Sequence, residues 1–480
     1  WNSLISGYST HGYGANALDF FEQMQSEGFI PSSVSYVCAL NACGSTGDMC
    51  KGMKVHDEIA QKGLEICPHI GSALVDMYAK CGLFESAKKV IDRLQCRNIV
   101  SWTALMKGYI QHAYCEEALA CFENIQREGI TPDAIAFTSS LKACASVGAI
   151  DMGREIHVEI ERKGFLDSNI TVGNTLIYMY VTFCLLAKAE QVFERLPLRN
   201  VVSWNALMTG YVHQGQGHGA LNCYEQMQVE GHSLDIVTFI CTLKACGSIG
   251  AIEKGEEIHT EVERQGLLEQ DFIVGSTVVD MYAKCGSLLK ARQVFDLLPI
   301  HDVVSWNLLI SGYTEYEYGE EALRCFEQMK VKGVSPDAVT FVCSLKACGN
   351  TGAMEKGGEI HREIERQGLI ETNLVISNTL IDMYSSCGRL EEAWNIFERL
   401  HSRDLICWSS MIMGCIRSGH NLLALDLFEK MKPERMKPDR PVFLCVLKAC
   451  GNLGATIQGM LIHGQMMEDM LELEGPLSTM

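Results

Sequence analysis

Between residues 201 and 235, apolar and polar positions alternate at helical spacing. The segment reads VVSWNALMTGYVHQGQGHGALNCYEQMQVEGHSLD. Trp204, Leu207, Met208 and Tyr211 fall at i, i+3, i+4 and i+7, which predicts an amphipathic helix. Gly215, Gly217 and Gly219 interrupt it. A second stripe, Ala220, Tyr224 and Met227, predicts a second helix that stops at Gly231. The unit is a helix–turn–helix of 35 residues; residues 236–271 repeat its logic in 36 and residues 272–302 in 31. Together the three lengths make a period of 102 residues, which the chain marks independently with Trp1, Trp102, Trp204, Trp306 and Trp408. His157, His259, His361 and His463 keep the same period, and His56 is one residue short of it. Trp394 stands outside the series.

This periodicity divides the chain into 14 pieces: a partial 1–32, then 33–67, 68–98, 99–133, 134–169, 170–200, 201–235, 236–271, 272–302, 303–337, 338–373, 374–404, 405–439 and 440–475, with 476–480 as a tail. Each hairpin carries more apolar surface than it buries alone, so the hairpins must stack. The expected fold is all-α, a right-handed superhelical solenoid of about 14 helix–turn–helix repeats forming one array over residues 1–475. Three packing classes show at the fourth position of a hairpin. It is Trp in the first type, and Tyr36, Phe137, Phe239, Phe341 and Phe443 in the second. In the third it is small: Gly71, Gly173, Gly275 and Ser377.

Composition narrows the function. Hydrophobic residues make up 47% of the chain and charged residues 21%, so it can bury a core. Only 10 prolines are present, too few for a proline-rich linker, and no apolar stretch approaches the roughly 18 residues of a membrane span. The net charge of −19 argues against a generic polyanion binder, although a basic groove can sit on an acidic body. Residue 1 is Trp, not Met; the sequence reads as a fragment from which a targeting peptide could have been lost.

The hairpin of 31–36 residues, the endings Gly129-x-x-x-Asp133 and Gly333-x-x-x-Asp337, and the motifs LKACGSIGAIEKGEEIH (243–259) and VDMYAKCG (279–286) resemble pentatricopeptide repeat proteins. The three alternating lengths resemble their P-L-S subclass. Leu234 in place of the usual Pro, Arg435 in place of Gly, and the stretch Val181 to Leu186 depart from the pattern. The resemblance implies single-stranded RNA as partner, one base per repeat, in organellar RNA processing or C-to-U editing. It also implies a mitochondrial or chloroplast location, and editing or processing proteins acting in trans. A protein-binding scaffold of tetratricopeptide type, with a cytoplasmic location, is the alternative that the acidic charge favours. No enzyme, cofactor or metal site is expected.

By that resemblance the fifth and last residues of a repeat read the base. In the first type these are Asn2 with Ser32, Thr103 with Asp133, Asn205 with Asp235, Asn307 with Asp337, and Ser409 with Asp439. In the third type they are Ser72 with Asn98, Asn174 with Asn200, Ser276 with Asp302, and Asn378 with Asp404. Helix capping is the competing account of such residues, but capping alone does not place Asn, Ser or Thr just after the Trp. In the second type the fifth residues are Val37, Thr138, Ile240, Val342 and Leu444; four of these five cannot hydrogen-bond a base edge, so these repeats read as spacers or weak readers. The implied site, 5′ to 3′, is C-n-A-G-n-Y-U-n-G-U-n-U-G-n.

Lys142, Lys244, Lys346 and Lys448 recur in second-type first helices, and Lys80 and Lys284 in the third type; they are phosphate contacts or a solvated helix edge. His157-x-Glu159 and its copies at His56, His259 and His361 mimic half of a zinc deaminase motif, but the Pro-Cys-x-x-Cys half is absent. Of 22 cysteines none form a C-x-x-C pair, and most fall in register, as at Cys43, Cys144, Cys246, Cys348 and Cys450. They read as small buried apolar residues in a reducing compartment. Gly215 to Gly219, with no strand before it, is a turn and not a phosphate loop.

Overall fold

The computed structural model describes residues 1–94, 97–400, 402–431, 433 and 436–473, with side chains as far as 467. Arg435, the end of the last repeat and the 476–480 tail lie outside the described residues. All regular structure among the described residues is helical, and the longer helices follow one another as antiparallel hairpins. Contacts gather the chain into two compact units, Trp1–Cys241 and Thr242–Met480. Within each unit the first helix of a hairpin packs on its own second helix and on the first helix of the next hairpin. Ile99–Gln111 against Cys115–Arg127 and Ala134–Val147 shows this in one unit, and Val303–Glu315 against Gly319–Val331 and Ala338–Thr351 in the other.

The three fourth-position classes explain the stacking. Trp204, Trp306 and Trp408 are buried and meet Phe193, Phe295 and Phe397 of the preceding hairpin edge-to-face, with ring centroids 4.5, 4.6 and 4.9 Å apart. That geometry favours aromatic pairs beyond their buried area. Tyr36, Phe137, Phe239 and Phe341 have no exposed surface. In the third type, a side chain at Gly71, Gly173 or Gly275 would collide with Leu94, Leu196 or Leu298. Ser377 fits the same seat by donating its hydroxyl to the Ile370 carbonyl at 2.6 Å.

The periodic histidines are packing elements. His56, His157, His259 and His361 place Nδ1 2.6, 2.7, 3.0 and 2.8 Å from the hydroxyls of Tyr78, Tyr180, Tyr282 and Tyr384 on the next hairpin. Burial holds His157, His259 and His361 below the ordinary imidazole value. Among the described residues no group of three or more His, Cys, Asp or Glu is arranged to hold a metal. Burial also pushes the thiols up, to about 12 at Cys43, Cys246 and Cys348 and about 11 at Cys144, which keeps them unreactive. No described helix is long and apolar enough to cross a membrane.

Two features differ from the sequence pattern. Second-type hairpins carry a third, short element: a 3₁₀ turn at Leu64–Ile66 and single helical turns at Phe165–Ser168, Leu267–Gln270 and Leu369–Thr372. Each starts from a glycine with positive φ, at Gly63, Gly164, Gly266 and Gly368; most of the extra length over the third type lies in the second helix, 13 residues in Ile150–Arg162 against 10 in Leu186–Arg195. The second difference lies where Val181 to Leu186 break the repeat motif. The hairpin survives there because Cys184 takes φ 57°, the left-handed conformation that Gly82, Gly286 and Gly388 take in the equivalent turns. A side chain in that conformation costs roughly 1–2 kcal/mol. Cys184→Gly is therefore expected to stabilise the protein by roughly 0.5–1 kcal/mol after the larger chain entropy of glycine is counted, read as a higher urea midpoint at unchanged slope.

Candidate functional site

The last residue of each first- and third-type hairpin is the N-cap of the next helix. Ser32, Asn98, Asp133, Asn200, Asp302, Asp337, Asp404 and Asp439 each accept the N–H three residues on, at 2.7–3.3 Å. Asp235 does the same for Thr238 N at 2.9 Å. Capping therefore accounts for a polar last residue, and second-type hairpins confirm this with Asn169, Asp271 and Asn373 in the same role. Capping does not account for the fifth residue.

Where the fifth residue is Asn, its amide reaches the last residue directly. Nδ2 donates from Asn2 to Ser32 at 3.0 Å, from Asn174 to Asn200 at 3.2 Å, and from Asn205 to Asp235 at 2.8 Å. It donates from Asn307 to Asp337 at 2.9 Å, and from Asn378 to both carboxylate oxygens of Asp404 at 3.2 and 3.3 Å. Where it is Ser or Thr with a last Asp, the hydroxyl turns to its own helix: Thr103 to Val100 O, Ser276 to Ile273 O and Ser409 to Ile406 O, at 2.9–3.1 Å. Thr103–Asp133, Ser276–Asp302 and Ser409–Asp439 thus do not bond one another. Ser72 lies between the two cases, 3.4 Å from Asn98 Oδ1 and 2.9 Å from Ser101 Oγ. Thr103, Asn205, Asn307 and Asn378 expose only 4–8% of their surface. Each is a narrow polar slot between helices, not an open side chain.

Two of these carboxylates, Asp337 and Asp404, are held in the charged form. Burial acts to raise Asp337, but the Thr340 N–H, the Asn307 amide and the Thr340 hydroxyl outweigh it and hold the group below the ordinary carboxylate range. Asp404 is lowered in the same way, burial being offset by the Cys407 N–H and thiol and the Asn378 amide. At Asp235 and Asp337, Oδ1 receives the amide and the capping N–H, and the Thr238 and Thr340 hydroxyl oxygens lie 2.8 and 2.9 Å from it.

Sequence reasoning missed the row beside these slots. The second residue of ten hairpins is an exposed β-branched side chain: Val34, Val100, Ile135, Val202, Val237, Ile273, Val304, Val339, Val375 and Ile406 expose 40–62% of their surface. Their recurrence on the wet side of a helix, in register, was the available signal. Such side chains are stiff and offer a flat apolar surface. The lysines also sort themselves. Lys142, Lys244, Lys346 and Lys448 are exposed, and each stands one turn beyond the fifth residue on the same face. Lys107 takes the same position in the first type. Lys80 and Lys284 instead pair with Asp76 and Asp280 at 2.7 and 2.8 Å, so a carboxylate of their own helix offsets the charge that a phosphate would meet.

Stacked two-helix units with polar slots recurring in register define a helical-repeat array. Comparison with known proteins places it more closely. The family model described as PPR repeat family matches residues 1–45, 97–146, 199–248 and 301–350, and that described as PPR repeat matches 72–99, 276–301, 375–405 and 406–432. A chloroplastic pentatricopeptide repeat-containing protein of Arabidopsis thaliana is 31% identical over 467 residues, covering 97% of this chain and 53% of its own. Another from the same plant is 32% identical over 467 residues, covering 97% of this chain and 67% of its own, and a mitochondrial one is 32% identical, covering 96% and 45%. The chain belongs to the pentatricopeptide repeat family. It spans about half the length of the first of these relatives. Its fold is that of the solved maize pentatricopeptide repeat protein PPR10 (TM-score 0.60, 18% identity, 98% of this chain and 74% of that one). PPR10 in complex with an 18-nucleotide psaJ RNA element aligns with TM-score 0.69, 17% identity, and 96% and 72% coverage.

Proposed function

We propose that this chain binds single-stranded RNA, one base per first- or third-type hairpin, as one array of the P-L-S subclass. The observation that carries the reading is the direct bond from the fifth-position amide to the last-position carboxylate at Asn205, Asn307 and Asn378. Capping does not require it, and it leaves a second amide N–H beside a carboxylate. One donor next to one acceptor complements uracil, whose edge offers O4 and N3–H. In Thr103, Ser276 and Ser409 the hydroxyl proton is spent on the helix, so oxygen and carboxylate both accept, which suits the paired N–H groups of guanine. The exposed β-branched residues supply apolar surface for the faces of unstacked bases. Relatives named chloroplastic or mitochondrial support an organellar site of action, in RNA processing or C-to-U editing with catalytic proteins acting in trans.

Selection from a random RNA library tests this. The expected product is an enriched motif with uracil facing Asn205, Asn307 and Asn378. RNA recovered without any enriched base, or no RNA at all, overturns the reading in favour of a protein-binding scaffold. The charge distribution sets a second expectation. Each neutralised phosphate on a single strand contributes roughly −0.7 to the slope of log K against log salt, so the five exposed lysines allow about −3.5 at most. Titration of affinity between low and physiological salt measures it, and a much steeper slope would mean a basic surface elsewhere.

A further inference from the structure

One turn beyond the fifth residue, the first helices change character along the chain. In third-type hairpins that residue is Asp76, Asp280 or Asp382, but in hairpin 170–200 it is Tyr178. Tyr178 leaves 52% of its surface exposed, whereas Tyr180 on the same helix is buried and meets His157 at 2.7 Å. Four residues on from Asn174, Tyr178 stands on the helix face that carries the slot between Asn174 and Asn200. The two preceding hairpins hold Lys107 and Lys142 at the same register, and both are exposed. The three first helices, Ile99–Gln111, Ala134–Val147 and Ile170–Thr182, contain no acidic residue. The capping positions around them are Asn98, Asp133, Asn169 and Asn200, with one carboxylate among the four. Two periods later the equivalent helices, Val303–Glu315, Ala338–Thr351 and Leu374–Ser386, carry Glu315 and Asp382 beside Lys346 alone. Asp302, Asp337 and Asp404 hold three of the equivalent capping positions there.

We propose that hairpins 99–200 are the anchoring segment of the array, where Lys107 and Lys142 take phosphates and the Tyr178 ring stacks on an unpaired base of single-stranded RNA. On a chain with a net charge of −19, a polyanion is repelled least where the reading helices lack acids and keep their lysines. An exposed ring beside such a track is the usual companion of a single strand, because every base has a face to stack. Stacking is tolerant of sequence, so Tyr178 supplies affinity and leaves the choice of base to the slots. The inference rests on the RNA-reading proposal and adds the place where the strand is held hardest.

The test measures the affinity of the whole chain for a labelled RNA carrying the implied site, with uracil at every open position. Tyr178→Ala should weaken binding roughly five- to a hundredfold, the range for a base stacked on an aromatic side chain. The factor should be the same at low and physiological salt, and the preference for uracil facing Asn205 should persist. Lys107→Gln and Lys142→Gln should instead each flatten the salt slope by roughly 0.7. Tyr178→Phe keeps the ring and should bind as the parent does. Tyr178→Asp should bind at least as weakly as the alanine variant, and Asp76, Asp280 and Asp382 show that the fold accommodates it. One abasic nucleotide is then placed in turn at the base facing Asn174 and at its two neighbours. At one of these three, Tyr178→Ala should cost nothing further, because the stacked base is already gone. If the alanine and aspartate variants bind like the parent, the anchor is overturned and the reading stands. If Tyr178→Ala costs the same on every abasic RNA, or the phenylalanine variant is as weak as alanine, the ring does not stack on a base and the proposal is overturned. If the parent itself enriches no RNA, the reading fails and the anchor with it.

Discussion

A protein carrying Thr in place of Asn205 is expected to move its preference at one base from uracil toward guanine, and to leave every other base as before. The physical change is a reversal of hydrogen-bond sense. The Asn205 amide donates to Asp235 at 2.8 Å and holds a further N–H in reserve. A threonine there would turn its proton to its own helix, as Thr103 does to Val100 O at 3.1 Å, and would show the ligand an acceptor beside the Asp235 carboxylate. Thr103 with Asp133 already forms that combination one period earlier in the chain. A matched edge is worth on the order of 1–3 kcal/mol of discrimination, taking base readout in DNA as the guide, or about ten- to a hundredfold in relative affinity. Competition between RNAs differing at the single base measures it. Unchanged binding of every RNA would remove hairpin 201–235 from the set of readers.

Truncating Trp306 to Ala should cost about 3–5 kcal/mol, the range for large aromatic side chains removed from a core. Trp306 has no exposed surface, meets Phe295 edge-to-face at 4.6 Å, and lies under the Lys332 ammonium at 5.6 Å. Those contacts join the preceding hairpin to its own, and stacked repeats transmit stability only between neighbours. Urea unfolding should therefore show the loss, and amide exchange should show it confined to residues 272–373. Protection lost evenly along the unit Thr242–Met480 would contradict nearest-neighbour stacking.

The hairpins were legible in the sequence because one packing problem is solved again every 102 residues. A Trp at one interface, a Phe at the next and a Gly at the third announce themselves by size. The short turns at Phe165–Ser168, Leu267–Gln270 and Leu369–Thr372 were not legible, since four residues carry no apolar period. The slots were half legible. Polar residues at the fifth position stood out against apolar neighbours, but three facts depend on distances between segments about 30 residues apart in the chain: the bond from Asn307 to Asp337, its absence between Thr103 and Asp133, and the Thr340 hydroxyl 2.6 Å from Asn307 Oδ1. Lys80 with Asp76 shows the same limit. The pair sits four residues apart in one helix, and the 102-residue period that marks the lysine carries no trace of its neighbour. The row from Val34 to Ile406 escaped because an apolar residue is ordinarily assigned to the core.

The double duty of the last residue sets the alphabet in which such a chain can vary. Whatever residue 133, 235, 337 or 439 contributes to a ligand, it must also close the first turn of the next helix. Only Asp, Asn, Ser, Thr and Gly do this well, and a poor cap costs about 0.5–2 kcal/mol. Exchanges among the hydrogen-bonding members of that set change what the slot offers while the helix keeps its cap. If the slots read bases as proposed, a lineage of such proteins can rewrite its target letter by letter without passing through an unfolded intermediate, but only with the few letters that helices permit.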